Sequence, residues 1–172
     1  KHSMFVLANA GTTLNISNVT IQNAVANKVN TGHNTSVLDV VADDAVVNLS
    51  NVIFKSNAGN AIYNLGTVSL NNVEIAENGG NIVNEKTLNM VSGTNTISSL
   101  VTNNAELIIG TDANTASTNI FNSTVTNNST IQTKVGATTT FNGDIVASDG
   151  SVFNLGGTDI INSDVSLANP ND

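Results

Sequence analysis

The side chains in this chain that could do chemistry are few and poorly arranged for it. Asp43-Asp44 is the only adjacent acidic pair, and paired carboxylates are the machinery of glycoside hydrolysis. They stand just before an apolar run at Val46-Val47, and a solvated acidic corner is the preferred account of them. His2 and His33 are the only histidines, and neither lies at ligand spacing from the other or from a carboxylate, so no zinc site is expected. Gly156-Gly157-Thr158-Asp159 matches part of the Gly-Gly-x-Gly-x-Asp repeat that holds calcium between coils, and it occurs once. There is no Gly-x-Ser-x-Gly elbow, and no histidine is placed to activate a hydroxyl. The expectation is a protein that is not an enzyme and uses no catalytic residue, metal or cofactor.

Composition narrows the partners. The net charge of −8 arises from thirteen acids and five scattered lysines, with no arginine. Phosphate-backbone binding therefore has no electrostatic footing, which argues against nucleic acid, and anionic membranes are disfavoured for the same reason. A polyuronate substrate would also need cations. No apolar run approaches the roughly 18 residues of a membrane span, so this segment is not membrane-embedded. The absence of cysteine fits an oxidising exterior reached without disulfides. Asparagine is abundant and only 10% of residues are charged, yet 40% are hydrophobic. Those apolar residues fall in regular alternation, so the chain can bury enough surface to offset its ordering entropy.

That alternation defines the elements. Leu14-Asn15-Ile16-Ser17-Asn18-Val19-Thr20-Ile21 can be laid on Val47-Asn48-Leu49-Ser50-Asn51-Val52-Ile53-Phe54 and on Val68-Ser69-Leu70-Asn71-Asn72-Val73-Glu74-Ile75. The grammar recurs from Leu88, Leu107, Ile131 and Val152, at intervals of 33, 21, 20, 19, 24 and 21 residues along the whole series. A period near 20 marks a solenoid. Each repeat contains about three short runs of period two, separated by Asn and Gly, which is the pattern of a triangular coil of β-strands. No stretch keeps an apolar period of 3.6, so little or no helix is expected.

Asparagines fall in two registers. Asn18, Asn51 and Asn72 each follow an anchor by four residues, and Asn64, Asn84, Asn103 and Asn127 each precede one by four. Asparagine tolerates the left-handed conformation of sharp corners, and its amide can bond the like amide one coil away. Both sets are expected to form structural ladders. Thr94-Asn95-Thr96 and Thr138-Thr139-Thr140 are similar to the threonine rows of ice-binding solenoids, but the threonines are not expected to hold one register. Sequons at Asn15, Asn18, Asn34, Asn48, Asn122, Asn127 and Asn128 are expected by chance in such a composition.

The long interval from 14 to 47 predicts a projecting loop, or an extra coil anchored by Val37 and Val40. Within it, Asn27, Lys28, Asn30, His33 and Asn34 are the candidate contact loop. At the other extreme of the repeat array, Phe5-Val6-Leu7 reads as an ordinary strand with no helix to cap it. Phe5 and Leu7 are therefore candidates for end-to-end contact.

Gly59-Asn60-Ala61-Ile62-Tyr63-Asn64-Leu65-Gly66-Thr67-Val68 resembles the Gly-Gly-Ala-Ile-Tyr-Asn-x-Gly-Thr-Val phrase of bacterial type V secretion passengers, the autotransporter and polymorphic-membrane-protein-like surface proteins. Phe54-Lys55-Ser56-Asn57 resembles their Phe-x-x-Asn phrase, and Ile120-Phe121-Asn122 and Thr140-Phe141-Asn142-Gly143-Asp144-Ile145 follow the same style. Asn60 replaces the second glycine of the family phrase. The resemblance implies a right-handed β-helix on the bacterial surface, working in adhesion, and it brings no catalytic residues.

The combined expectation is an all-β, right-handed parallel β-helix of about eight coils of roughly 20 residues. Residues 1–172 would form a single unit, part of a longer solenoid or of an end-to-end assembly. Its function would be that of an extracellular adhesin passenger segment meeting a host or neighbouring-cell surface receptor or glycan. The alternatives are a filament subunit whose partners are further copies of itself and, more remotely, a polysaccharide-active enzyme.

Overall fold

The structure, a computed structural model, describes residues 3–25, 36–112 and 115–168. These residues form an all-β parallel solenoid with no helix among them. Strands β1 (Phe5–Leu7) and β2 (Thr13–Gln22) make the first coil, and β3 (Ser36–Val40) and β4 (Val46–Lys55) the second. The third and fourth are β5 (Asn60–Asn64) with β6 (Thr67–Ala76), and β7 (Ile82–Asn84) with β8 (Thr87–Ile97). From there the long strand divides. The fifth coil is β9 (Val101–Asn103), β10 (Glu106–Ile109) and β11 (Ser117–Phe121), and the sixth is β12 (Val125–Asn127), β13 (Thr130–Thr133) and β14 (Ala137–Phe141). The seventh is β15 (Ile145–Ala147), β16 (Val152–Leu155) and β17 (Thr158–Ile161), after which β18 (Val165–Leu167) begins another.

The first face is an eight-stranded sheet in the order β1-β3-β5-β7-β9-β12-β15-β18. The other two faces share a continuous ladder, because β2, β4, β6 and β8 each bend at a corner and cover both. The complete coils thus number seven with an eighth begun, slightly fewer than the expected eight. Among the described residues no extra coil separates the first from the second. Val37 and Val40 lie in β3, which pairs directly with β1, as β4 pairs with β2.

Stacking places like side chains over one another. Leu14, Val47, Val68, Leu88, Leu107 and Ile131 are successive Cα partners, as their alternation predicts. The last anchor is Phe153, not Val152: Ile131 pairs with Phe153, which packs on the core, while Val152 faces outward. Two adjacent apolar residues there satisfy either phase of a period-two pattern, so the coil below decides between them. A second core column runs Phe54, Ile75, Ile97, Phe121, Phe141, with the last two rings stacked at 5.0 Å between centroids.

The bends have a simple cause. Asn18, Asn51 and Asn72 adopt φ of 55°, 53° and 56°, and the next coil turns on Gly93 at φ 67°. Asparagine and glycine are the residues that enter this region at least cost. A second left-handed column, Asn23, Ser56 and Glu77, makes the following corner in the same three coils. Gly66 serves a different need: a Cβ there would fall on the Ala45 carbonyl oxygen.

Candidate functional site

Four of the seven ladder asparagines lie inside the protein. Asn64, Asn84, Asn103 and Asn127 are fully buried at the end of the first face. Each Nδ2 donates to the next Oδ1, Asn64 to Asn84, Asn84 to Asn103 and Asn103 to Asn127, all at 2.8 Å. The second amide hydrogen bonds a backbone carbonyl, that of Thr87 for Asn64, Glu106 for Asn84 and Thr130 for Asn103, at 2.8, 2.8 and 2.9 Å. Val40 and Ala147 replace the asparagine at either end of the column. None of the four has positive φ, so this column is an interior seam and not a left-handed corner.

The expected corner ladder is present and exposed. Asn51 donates to Asn18 at 3.0 Å and Asn72 to Asn51 at 2.8 Å, in the opposite sense along the axis to the interior seam. Sequence reasoning missed further ladders at other registers. Asn142 donates to Asn122 and Asn162 to Asn142, at 2.9 and 2.8 Å, and Asn57 donates to Asn78 at 2.8 Å. The Phe-x-x-Asn phrase holds the clue to the last, since Asn57 also bonds the backbone at Ala24 and Ile21, tying two coils together.

The threonines correct the sequence reading more sharply. Thr94, Thr118, Thr138 and Thr158 are successive Cα partners on the third face. Two residues on, Thr96, Ile120, Thr140 and Ile160 form a second column. All eight point outward and are half-buried or exposed. Between these columns an inward one changes character along the axis. Val19, Val52 and Val73 are followed by Asn95, whose Oδ1 accepts from the Val73 N–H at 3.0 Å, then by Asn119, Thr139 and Asp159. Asn95 donates to Asn119 at 3.0 Å beneath the threonines. Register is held, though not on every coil.

Phe5 and Leu7, the residues expected at an end contact, lie in the first coil. Leu7 is only 5% exposed, and Phe5 is half-buried and packs against the core. Apolar side chains are exposed in both outermost coils: Met4, Val6, Val19 and Val25 in the first, and at the opposite end Leu167 (80%) and Val165 (57%), with Leu155, Ile160 and Ile161 beside them. A concavity of about 590 Å³ opens there, lined by Phe153, Val165, Leu167 and the turn from Ser148 to Ser151.

The candidate contact loop of Asn27, Lys28, Asn30, His33 and Asn34 lies outside the described residues. Asp43 and Asp44 occupy an exposed turn, and the Asp43 carbonyl accepts from Lys86 Nζ. Among the described residues no three His, Cys, Asp or Glu side chains come together as a metal site, and no helix is long and apolar enough to cross a membrane.

Tyr63, the single tyrosine, sits in β5 on the outward side between Asp39 and Val83. Burial, then the charges of Glu85 and Asp39, raise its phenol above the ordinary value. Between the unfolded and folded values the folded state holds the extra proton, so stability falls as pH rises through that window. An absorbance titration should therefore show a midpoint above about 10, with urea stability declining from about that pH upward. A midpoint at or below the free value would contradict the placement.

No family model, curated protein or solved structure matches this chain. The class rests on the coordinates: a parallel β-solenoid with asparagine ladders at its corners and in its interior.

Proposed function

We propose that this chain is an extracellular segment of a bacterial surface adhesin of the autotransporter kind, a non-catalytic stack of coils that presents side-chain rows to a receptor or glycan. One observation supports the reading. On the middle face Asn15, Asn48, Ser69, Asn89, Ile108, Gln132 and Asn154 are successive outward partners. Such a row repeats hydrogen-bonding groups about every 4.8 Å, so a ligand with many hydroxyls or amides can engage several coils at once. The neutral amides and hydroxyls ask for hydrogen bonds, not ion pairs.

The test is binding of the purified chain to host cells and to a glycan array. Binding is expected, and a Ser69→Lys, Asn89→Lys double variant should reduce it at least tenfold with the circular dichroism unchanged. Absence of binding to every surface, or full binding by the variant, would defeat the reading.

The exposed apolar coil at β16–β18 favours a second reading, a structural subunit that polymerises end to end by strand stacking, since an uncovered strand edge templates further pairing. Sedimentation should then show elongated species growing with concentration and abolished by Leu167→Asp. A chain that stays monomeric throughout would exclude it.

A further inference from the structure

We propose that the threonine face of coils four to seven is a binding surface for crystalline water. Its two outward columns form a small two-dimensional lattice. Coils repeat about every 4.8 Å along the axis, and alternate residues on a strand lie about 6.6 Å apart. The array therefore spans roughly 14 Å along the axis at that spacing. Threonine is stiff at χ1 because it branches at Cβ, so its hydroxyl and methyl keep a defined direction from coil to coil.

Three observations select the ligand. First, no hydroxyl of Thr94, Thr118, Thr138 or Thr158 bonds another group of the protein among the described residues, so all are available to solvent. Second, no charged side chain interrupts either column, although the chain carries thirteen acids; the array stops where Glu74 takes the place of Thr96 one coil earlier. Third, coils four to six of the face are backed by fixed structure, the Asn95–Asn119 bond and the Phe121–Phe141 stack, so the lattice is held still there.

Those properties suit water better than other partners. Neither column contains Trp, Tyr or Arg, the residues that anchor protein interfaces, and there is no aromatic ring on which a sugar could stack. The methyl groups and the isoleucines at Ile120 and Ile160 offer water no hydrogen bond. Neighbouring hydroxyls can both donate and accept. Waters between the coils must then complete their bonds with one another and with the hydroxyls, and so take up the repeat of the protein. Ice is a surface that itself repeats in two dimensions at hydrogen-bond spacings. With only four coils contributing, the expected effect is slowed recrystallisation rather than strong freezing-point depression.

The experiment is partition of the whole chain into slowly grown ice, with ice recrystallisation followed in parallel at micromolar protein. The chain should be enriched in the ice and should retard grain growth. Thr118→Lys with Thr138→Lys should reduce partition at least tenfold with unchanged circular dichroism, while Ser69→Lys on the middle face should leave it intact. Should the lysine variant unfold, Thr118→Ser with Thr138→Ser removes only two methyl groups and should weaken partition several-fold. Exclusion of the wild-type chain from ice would overturn the proposal. So would full retention by the folded threonine variants, or capture by crystalline cellulose or chitin through these threonines without capture by ice.

Discussion

A Leu70→Asp variant is expected to lose the fold outright. Leu70 is fully buried in β6 between Leu49 and Met90 of the adjacent coils. Removing it forfeits about 1.5–3 kcal/mol of burial. The carboxyl that replaces it has no partner in that apolar column, which adds several kcal/mol more. A loss above about 4 kcal/mol is at the exceptional end for a single substitution, and it is comparable with a whole domain's stability of about 5–15 kcal/mol. Far-ultraviolet circular dichroism and protease resistance would show it. The outward neighbour gives the comparison, since Ser69→Asp should change stability by no more than about 0.5 kcal/mol. The reverse ranking would mean that the strand lies one residue out of register, with every side chain on the wrong face.

Asn84→Leu should be the next most damaging change, although it keeps the number and branching of the side-chain heavy atoms. The amide of Asn84 accepts from Asn64 and donates to Asn103 and to the Glu106 carbonyl, all in the interior. Without it, at least two buried groups lose partners at about 1–3 kcal/mol each, so roughly 2–6 kcal/mol is expected in all. The exposed corner asparagine provides a contrast of mechanism. Asn51→Leu places a branched side chain at φ 53°, at a strain of about 1–2 kcal/mol, and Asn51→Gly should recover most of that loss because glycine accepts the conformation. Urea midpoints should rank Asn84→Leu as the most destabilised, then Asn51→Leu, then Asn51→Gly. Equal losses for Asn84→Leu and Asn51→Leu would contradict the division into seam and corner.

Much of this architecture is legible without coordinates, because each coil writes the same alternation and the anchors from Leu14 to Ile131 share one inward column. Two things are not legible. Coil length varies, with 24 residues separating Asn95 from Asn119 but 20 separating Asn122 from Asn142. In addition, β8 shifts register against β6 beside Gly93. Fixed spacing therefore misaligns the threonines, and the third face emerges only once strands are paired. The sequence also shows that Phe5-Val6-Leu7 is a strand but not its phase: Leu7 lies inward and buried while Val6 beside it is exposed. The function is less legible still, because hydrogen-bonding rows state what chemistry a surface offers and do not name its ligand.

The passage from valine to polar residues in the inward column has a consequence for how the molecule comes apart. The second and third coils are dry there, at Val52 and Val73, whereas Thr139 Oγ1 and Asp159 Oδ1 are buried without a hydrogen-bond partner. The coils beyond them also leave Leu167 and Val165 in water. Each coil touches only its neighbours, so cohesion is a sum of local terms and can differ from place to place. Amide protons of β4, β6 and β8 should therefore exchange last and those of β15 to β18 first, with the chain unzipping from one extremity in steps. A single melting temperature would then average over a gradient, not report one cooperative event.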